Sequence, residues 1–113
     1  MNNILNHTKD RVAIKGDTLP LLININGTTF LNGTGYMYVK NEPDDSDVDS
    51  VLEKSATIVV NPNDISKNYF AIDLLPSETG ALEIKKYYYK IVLVATDGYT
   101  RTPIIGSLTI VQV

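Results

Sequence analysis

The chain has 113 residues, enough for one domain with its own core, and it contains no cysteine. Disulfide frameworks, thiolate metal sites and cysteine nucleophiles are therefore excluded. The formal net charge of −3 originates in residues 42–49, which hold five acids and no base, while the remainder carries ten bases and eight acids. Because nucleic-acid binding needs a basic stripe, this nearly balanced surface predicts that nucleic acid is not a partner.

Residues 1–9 predict a flexible N-terminal arm, because they are polar and show no regular alternation. They lack the apolar stretch of a secretory signal, and no run in the chain approaches the ~20 apolar residues of a membrane-spanning helix. We therefore expect no membrane partner, and the absence of cysteine fits folding inside a cell. The remaining residues, 10–113, predict one domain.

Five stretches in the first part of this domain predict β-strands, because their apolar and polar residues alternate with a period of two. The predicted strands comprise residues 10–15, 19–26, 34–40, 51–60 and 69–75. Turn residues such as Asn26-Gly27 separate them. In the second strand one face carries Leu19, Leu21, Ile23 and Ile25, which predicts that this face is buried.

The strongest local signal is a hairpin, in which residues 85–96 and 99–111 flank Asp97-Gly98. Asp and Gly tolerate the positive φ of a type I′ turn, whose twist matches that of the strands, so we expect this turn. On the first of these strands, one face carries Tyr87, Tyr89, Ile91 and Leu93, which we assign to the core. A tyrosine at the beginning of such a strand commonly bonds its hydroxyl to nearby backbone, as in a tyrosine corner.

The two hairpin strands bring the predicted number to seven, with turn signals at a spacing of roughly 8–12 residues. Residues 76–82 predict a single helical turn opened by Ser77. No other segment shows a helical period. The count and spacing are typical of an all-β, immunoglobulin-like antiparallel β-sandwich, and a small barrel is the competing fold.

The second face of the tyrosine-rich strand is more apolar than an isolated sandwich requires. It carries Tyr88, Lys90, Val92 and Val94. Either a loop or a partner covers these residues, or they are the ordinary scatter of apolar residues on a protein surface. Two further tyrosines point outward from the strand of residues 34–40. We therefore predict a protein-interaction patch of five residues: Tyr36, Tyr38, Tyr88, Val92 and Val94.

No catalytic site is predicted, because a hydrolytic triad needs a general base and the only histidine, His7, lies in the arm. No motif resembles a nucleophile elbow, a phosphate-binding loop or a zinc-binding helix, so we expect neither an enzyme nor a cofactor. Asp73 and Glu83 are two carboxylates that an acid/base pair would use, but both are placed at strand ends. Such groups are usually solvated or cap the backbone.

The acidic loop, residues 42–49, is the only pattern that resembles a metal site. Asp45, Asp47 and Asp49 alternate at a spacing that can surround Ca²⁺ with oxygen atoms. The pattern departs from an EF-hand, because its sixth position is Ser50 rather than glycine and its twelfth is Ala56 rather than glutamate. An exposed, self-repelling loop is the preferred interpretation. No metal site is predicted, and Ca²⁺ binding stays as the alternative.

Short stretches of turn and strand residues follow one another in a definite order along residues 10–113. They are Lys15-Gly16-Asp17-Thr18, Asn26-Gly27, Leu31-Asn32-Gly33, Tyr38-Val39-Lys40, Asp44-Asp45-Ser46-Asp47, Leu74-Leu75-Pro76-Ser77-Glu78-Thr79, Tyr87-Tyr88-Tyr89-Lys90-Ile91, Asp97-Gly98, Thr102 and Gly106-Ser107-Leu108-Thr109-Ile110. Their order and spacing resemble the N-terminal domain of phage baseplate upper proteins and related tail and fibre-attachment modules. One departure is Lys85-Lys86, where that family often has a glycine before the tyrosine strand.

This resemblance implies an immunoglobulin-like sandwich and a non-enzymatic structural protein of a bacteriophage virion, made in the cytoplasm of the host bacterium. Such a protein would be an adaptor or decoration module. It would dock on tail, baseplate, neck, capsid or fibre proteins, together with copies of itself, and would be able to anchor receptor-binding fibres. The alternative is a carbohydrate- or receptor-binding sandwich, which the absence of tryptophan disfavours.

Overall fold

Two facing β-sheets form the protein, as the alternation of its residues predicts. The computed structural model describes residues 7–8 and 10–113. The strands are β1 (His7–Thr8), β2 (Arg11–Ile14), β3 (Leu19–Asn26), β4 (Thr34–Lys40), β5 (Leu52–Thr57), β6 (Val59–Asn61), β7 (Asp64–Leu74), β8 (Lys86–Val94) and β9 (Thr100–Val111). The described helical segments are α1 (Pro76–Ala81) and a 3-10 turn (Asp47–Asp49), and no described helix is long and apolar enough to cross a membrane.

The order of the strands is that of an immunoglobulin-like sandwich. One sheet has the order β1-β9-β8-β4-β5, with β2 also on β9, and the other has the order β3-β7-β6. In immunoglobulin terms, β3, β7 and β6 correspond to strands B, E and D. The strands β9, β8, β4 and β5 correspond to G, F, C and C′. The predicted all-β sandwich is therefore confirmed.

The N-terminal edge of the larger sheet departs from a purely antiparallel arrangement. Both β1 and β2 pair in parallel with β9, with His7 opposite Ile104 and Arg11 opposite Leu108. Between them, the Asp10 carboxylate accepts hydrogen bonds from the N–H and the hydroxyl of Ser107 at 3.3 and 2.8 Å. Of the predicted arm, residues 1–6 and 9 lie outside the described residues.

The predicted strand of residues 51–60 is two strands in two different sheets. The first, β5, pairs with β4, and the second, β6, pairs with β7. Between them Ile58 is fully buried, and its N–H donates to the carbonyl of Gly33 at 2.9 Å. The chain therefore changes sheets at Ile58. Together with β1, this division raises the seven predicted strands to nine described ones.

The core lies between the sheets and contains the faces that the alternation predicts. On β8 the inward residues are at most 4% exposed: Tyr87, Tyr89, Ile91 and Leu93. From the opposite sheet, Phe70 is fully buried. A Cβ atom at Gly35 of β4 would lie 2.4 Å from the ring of Phe70, so the glycine allows this ring to pack directly on the strand. On β2 the core residue is Ala13, and Val12 and Ile14 face outward.

The hairpin between β8 and β9 is confirmed, but its predicted type I′ turn is wrong. Gly98 has a φ of 93°, whereas Asp97 has no positive φ. The N–H of Gly98 donates to the carbonyl of Ala95 at 2.9 Å, so Thr96 and Asp97 are the central residues of the turn. A turn of this kind followed by a left-handed glycine is the usual three-residue hairpin loop. Gly98 is therefore the one residue of this turn with a left-handed backbone conformation.

The corner between β7 and β8 contains the predicted tyrosine corner. The hydroxyl of Tyr87 accepts a hydrogen bond from the N–H of Glu83 at 2.8 Å. The helix α1 begins at Pro76, one residue before the predicted Ser77. Leu75 is its N-cap, and the N–H of Leu75 donates to Glu78 Oε1 at 2.8 Å. The buried Thr79 hydroxyl donates to the carbonyl of Asp17 at 2.7 Å. Hydrogen bonds within the corner and one to Asp17, which is distant in the sequence, therefore stabilise the connection between β7 and β8.

Candidate interaction face

All five residues of the predicted patch lie side by side on one surface of the larger sheet. The register of β4 and β8 places Tyr36 opposite Val92 and Tyr38 opposite Lys90. The same register places Val94 opposite Thr34 and Tyr88 opposite Lys40. Because paired residues of neighbouring strands share a face, the patch is contiguous across two strands. We call the solvent side of β4, β8, β9 and β2 the outer face.

The two tyrosines on β4 form a stacked pair on the outer face. The ring centres of Tyr36 and Tyr38 are 6.2 Å apart, with an angle of 15° between the rings. The Nζ of Lys90 lies 5.7 Å from the centre of the Tyr38 ring. Burial raises the pKa of Tyr38, with smaller contributions from the negative charges of Glu53 and Asp47. The two tyrosines thus form a partly buried aromatic pair, and Lys90 lies against the ring of Tyr38.

The outer face extends further than the sequence predicted. On β9, Ile105 is opposite Lys90 and is 52% exposed. On β2, Val12 is opposite Thr109 and is 64% exposed. The alternation of residues 10–15 already separated Val12 and Ile14 from Ala13, but it did not show which side was the core. That choice depends on the pairing of β2 with β9.

The acidic loop does not stand away from the protein. A single carboxylate oxygen, Oδ1 of Asp47, lies 2.7 Å from Nζ of Lys40 and 2.8 Å from Nζ of Lys90. Hydrogen bonds from these two lysines hold the pKa of Asp47 below its ordinary value. The side chain of Lys40 is only 6% exposed, and its Nζ also donates to the carbonyl of Asp45 at 2.7 Å. The expectation of an exposed, self-repelling loop is therefore wrong at Asp47.

The three alternating carboxylates of this loop have three different sets of partners. Asp45 accepts a hydrogen bond from the N–H of Glu42 at 3.1 Å, and Asp49 accepts one from the Ser46 hydroxyl at 3.0 Å. Asp47 is engaged by the two lysines. Over residues 10–113, no group of three or more histidine, cysteine, aspartate or glutamate side chains is arranged to hold a metal ion. The geometry thus gives the Ca²⁺ alternative no support.

The two carboxylates considered for catalysis, Asp73 and Glu83, lie in different parts of the fold. Asp73 is exposed on β7, in the smaller sheet, where it lies opposite Pro20. Glu83 is exposed beside the tyrosine corner, in the connection between α1 and β8. The side chain of His7 lies outside the described residues. The apolar and aromatic outer face is therefore the candidate site.

The fold and this face define a class of protein: an immunoglobulin-like sandwich with an aromatic and aliphatic surface on its larger sheet. Comparison of the sequence with protein-family models finds no matching family. Comparison with curated proteins finds no matching relative.

Proposed function

We propose that the protein is a non-enzymatic structural component of a bacteriophage virion. In this proposal it is an immunoglobulin-like adaptor or decoration module, and it docks through its outer face on tail, baseplate or head proteins. Anchoring of receptor-binding fibres is a further part of the same proposal. The observation that carries it is the contiguity of Tyr36, Tyr38, Tyr88, Val92 and Val94 on two paired strands.

The side-chain types on this face suit a protein partner. Tyrosine and aliphatic residues supply large contact areas at interfaces, and lysine is usually depleted from interface centres. Here the one central lysine, Lys90, is paired with Asp47 and lies over the ring of Tyr38, so its charge is already compensated. Burying apolar area contributes roughly 25 cal/mol per Å² before the costs of association. A partner that covers this face would therefore gain mainly from apolar contact.

Symmetric assembly would amplify such contacts. Oligomers usually have closed symmetry, so copies of one chain present the same face repeatedly. Contacts that are weak singly become strong when several are made at once, because the later ones form at a high effective concentration. The sandwich keeps the face in a fixed geometry, since its strands pair over most of their length. Partners in the virion and further copies of this chain both follow from this reasoning.

Replacement of Val92 and Val94 by lysine tests the proposal. We expect the double variant Val92→Lys/Val94→Lys to fold but to disappear from purified particles, because two charges would be buried at the interface. Incorporation is measured by mass spectrometry of the particles, and folding by thermal denaturation followed by circular dichroism. The matched control is Leu22→Lys/Asn24→Lys, which places the same charges on the exposed face of β3. Incorporation of the Val92/Val94 variant at the level of this control would overturn the proposal.

The alternative of carbohydrate binding is weakened by the geometry of the tyrosine pair. A sugar packs on the open face of an aromatic ring, and Tyr36 and Tyr38 each turn one ring face toward the other, with 6.2 Å between the ring centres. Lys90 approaches the Tyr38 ring as well. Specific binding on a glycan array, lost in a Tyr36→Ala variant, would favour the alternative over the adaptor.

A further inference from the structure

A cavity of about 260 Å³ lies at one end of the outer face. Its floor is formed by β8 and β9, with Tyr88 and Ile105 as the main apolar side chains. One wall comes from the acidic loop, through Pro43, and the opposite wall comes from Asp10, between β1 and β2. Three segments that are distant in the sequence thus converge on one concave site.

The size of the cavity suits a side chain rather than a large ligand. Pockets for drug-sized molecules usually measure about 300–1,000 Å³. A volume of about 260 Å³ is below that range and, at ~30 Å³ per water molecule, corresponds to fewer than ten waters. Interfaces commonly place an anchor side chain of one protein into such a depression of the other. The cavity is therefore of the right size for one or two side chains of a partner.

The charges around the cavity favour binding of an acidic group. Lys40, Lys86 and Lys90 line it, and Asp10 is the one lining carboxylate. Asp47 compensates Lys40 and Lys90 together through one oxygen, so three ammonium groups face two carboxylates. Asp10 is in turn engaged by Ser107. One positive charge is left without an equivalent carboxylate.

Among the three lysines that line the cavity, Lys86 has the most free donors. Its Nζ lies 5.5 Å from the centre of the Tyr88 ring, and it donates to no oxygen atom among residues 10–113. The next residue toward the N-terminus, Lys85, is different, because its Nζ donates to Oδ1 of Asn41 at 2.9 Å. Lys85 does not line the cavity. The two adjacent lysines therefore provide a site residue and a matched control.

We propose that this cavity binds an acidic side chain of a partner protein that has an apolar neighbour. The carboxylate accepts hydrogen bonds from Lys86, and the apolar neighbour packs on Tyr88 and Ile105. This inference rests on the proposed adaptor function and identifies the chemistry of its partner. It also places the anchor at the Lys86–Lys90 end of β8, on the same outer face as Val92 and Val94, so both regions would contact one partner.

The test uses two peptides that differ in one group, Ac-Leu-Glu-Leu-NH₂ and Ac-Leu-Gln-Leu-NH₂. In NMR titrations of the full chain we expect the glutamate peptide to shift the amide resonances of Tyr88, Lys90 and Ile105 saturably. Lys86→Gln should weaken this binding about two- to fivefold, since an exposed ion pair contributes roughly 0.5–1 kcal/mol. Lys85→Gln should leave it unchanged. Lys86 is exposed, so its variant should fold normally.

Three results would overturn the cavity proposal: equal binding of the glutamine peptide, equal effects of Lys86→Gln and Lys85→Gln, or shifts of the same size with inorganic phosphate at equal concentration. The last result would indicate a general anion site. If the Val92/Val94 variant is lost from particles but neither peptide binds, the adaptor function stands and the cavity proposal fails. If the glutamate peptide binds but that variant is incorporated normally, the cavity proposal stands as an acidic-peptide site and the virion role fails.

Discussion

The two faces of β8 carry similar residues but differ in their burial. Tyr87, Tyr89, Ile91 and Leu93 face the core, and Tyr88, Lys90, Val92 and Val94 form part of the outer face. The inward residues are at most 4% exposed, whereas the outward ones are half-buried. Hydrophobicity alone therefore does not decide which face is the core. The second sheet covers one side of the strand, and the other side is left for the acidic loop and, we propose, a partner.

The solvent sides of the two sheets differ in their aromatic residues. On β3 the solvent side carries Pro20, Leu22, Asn24 and Asn26, of which two are apolar, two are polar and none is aromatic. Both sheets bury an apolar inner face on the same core. The outward tyrosines of β4 and β8 have no counterpart on β3, and this difference makes the outer face the candidate for binding.

The largest difference between the two faces of β8 should appear on truncation of neighbouring aliphatic residues. Ile91→Ala should lower the free energy of unfolding by about 2–5 kcal/mol, because it leaves a cavity in a packed core. Val92→Ala should cost under ~1 kcal/mol, because its side chain is half-buried and its site can be filled by water. Urea denaturation of both variants measures these values. Equal losses would show that both faces are core.

The tyrosines provide a second, smaller contrast. Tyr87→Phe should cost about 0.5–1.5 kcal/mol, because the N–H of Glu83 loses its acceptor at the tyrosine corner. Tyr88→Phe removes the same hydroxyl from the other face and should change stability by less than ~0.5 kcal/mol. Thermal denaturation of the two variants gives the comparison. A Tyr88→Phe effect as large as that of Tyr87→Phe would contradict it.

The smallest expected effect is a pH dependence of stability that comes from Asp47, which pairs with the outward-facing Lys90 of β8. The lysine partners lower the pKa of Asp47 in the folded protein, so its stabilising contribution is present above the unfolded pKa of 3.8 and is lost as the pH falls through the folded pKa. Asp47→Asn should therefore lower the melting temperature at pH 6, and the difference from the unmodified protein should shrink below pH 3.8.

Comparison with a matched variant separates this effect from those of other carboxylates. Asp64 and Glu78 also have lowered pKa values, so the unmodified protein alone does not isolate Asp47. Asp49→Asn is the control, because the Asp49 carboxylate accepts from the Ser46 hydroxyl rather than from a lysine. A pH-independent difference for Asp47→Asn, or the same profile for Asp49→Asn, would contradict the role of the lysine pair.

Sequence reasoning succeeded where the determining interactions are local. The alternation of apolar residues correctly assigned the inward faces of β3 and β8. The five patch residues share one surface, because β4 and β8 are neighbours in the sandwich. Their role as an interface stays a prediction. The turn at Asp97-Gly98 was placed correctly, but its type was not, because Thr96 and the register of the flanking strands also determine it.

The amino-acid sequence by itself determined the fold class, the core faces of β3 and β8 and the tyrosine corner. These depend on a two-residue side-chain period and on contacts within a few residues. Only the tertiary structure decided the change of sheet at Ile58, the parallel pairing of β2 with β9 and the sharing of Asp47 by Lys40 and Lys90. Such features join residues that are far apart in the chain. The cavity is of the same kind, because Asp10, Pro43 and Tyr88 converge on it from three distant segments.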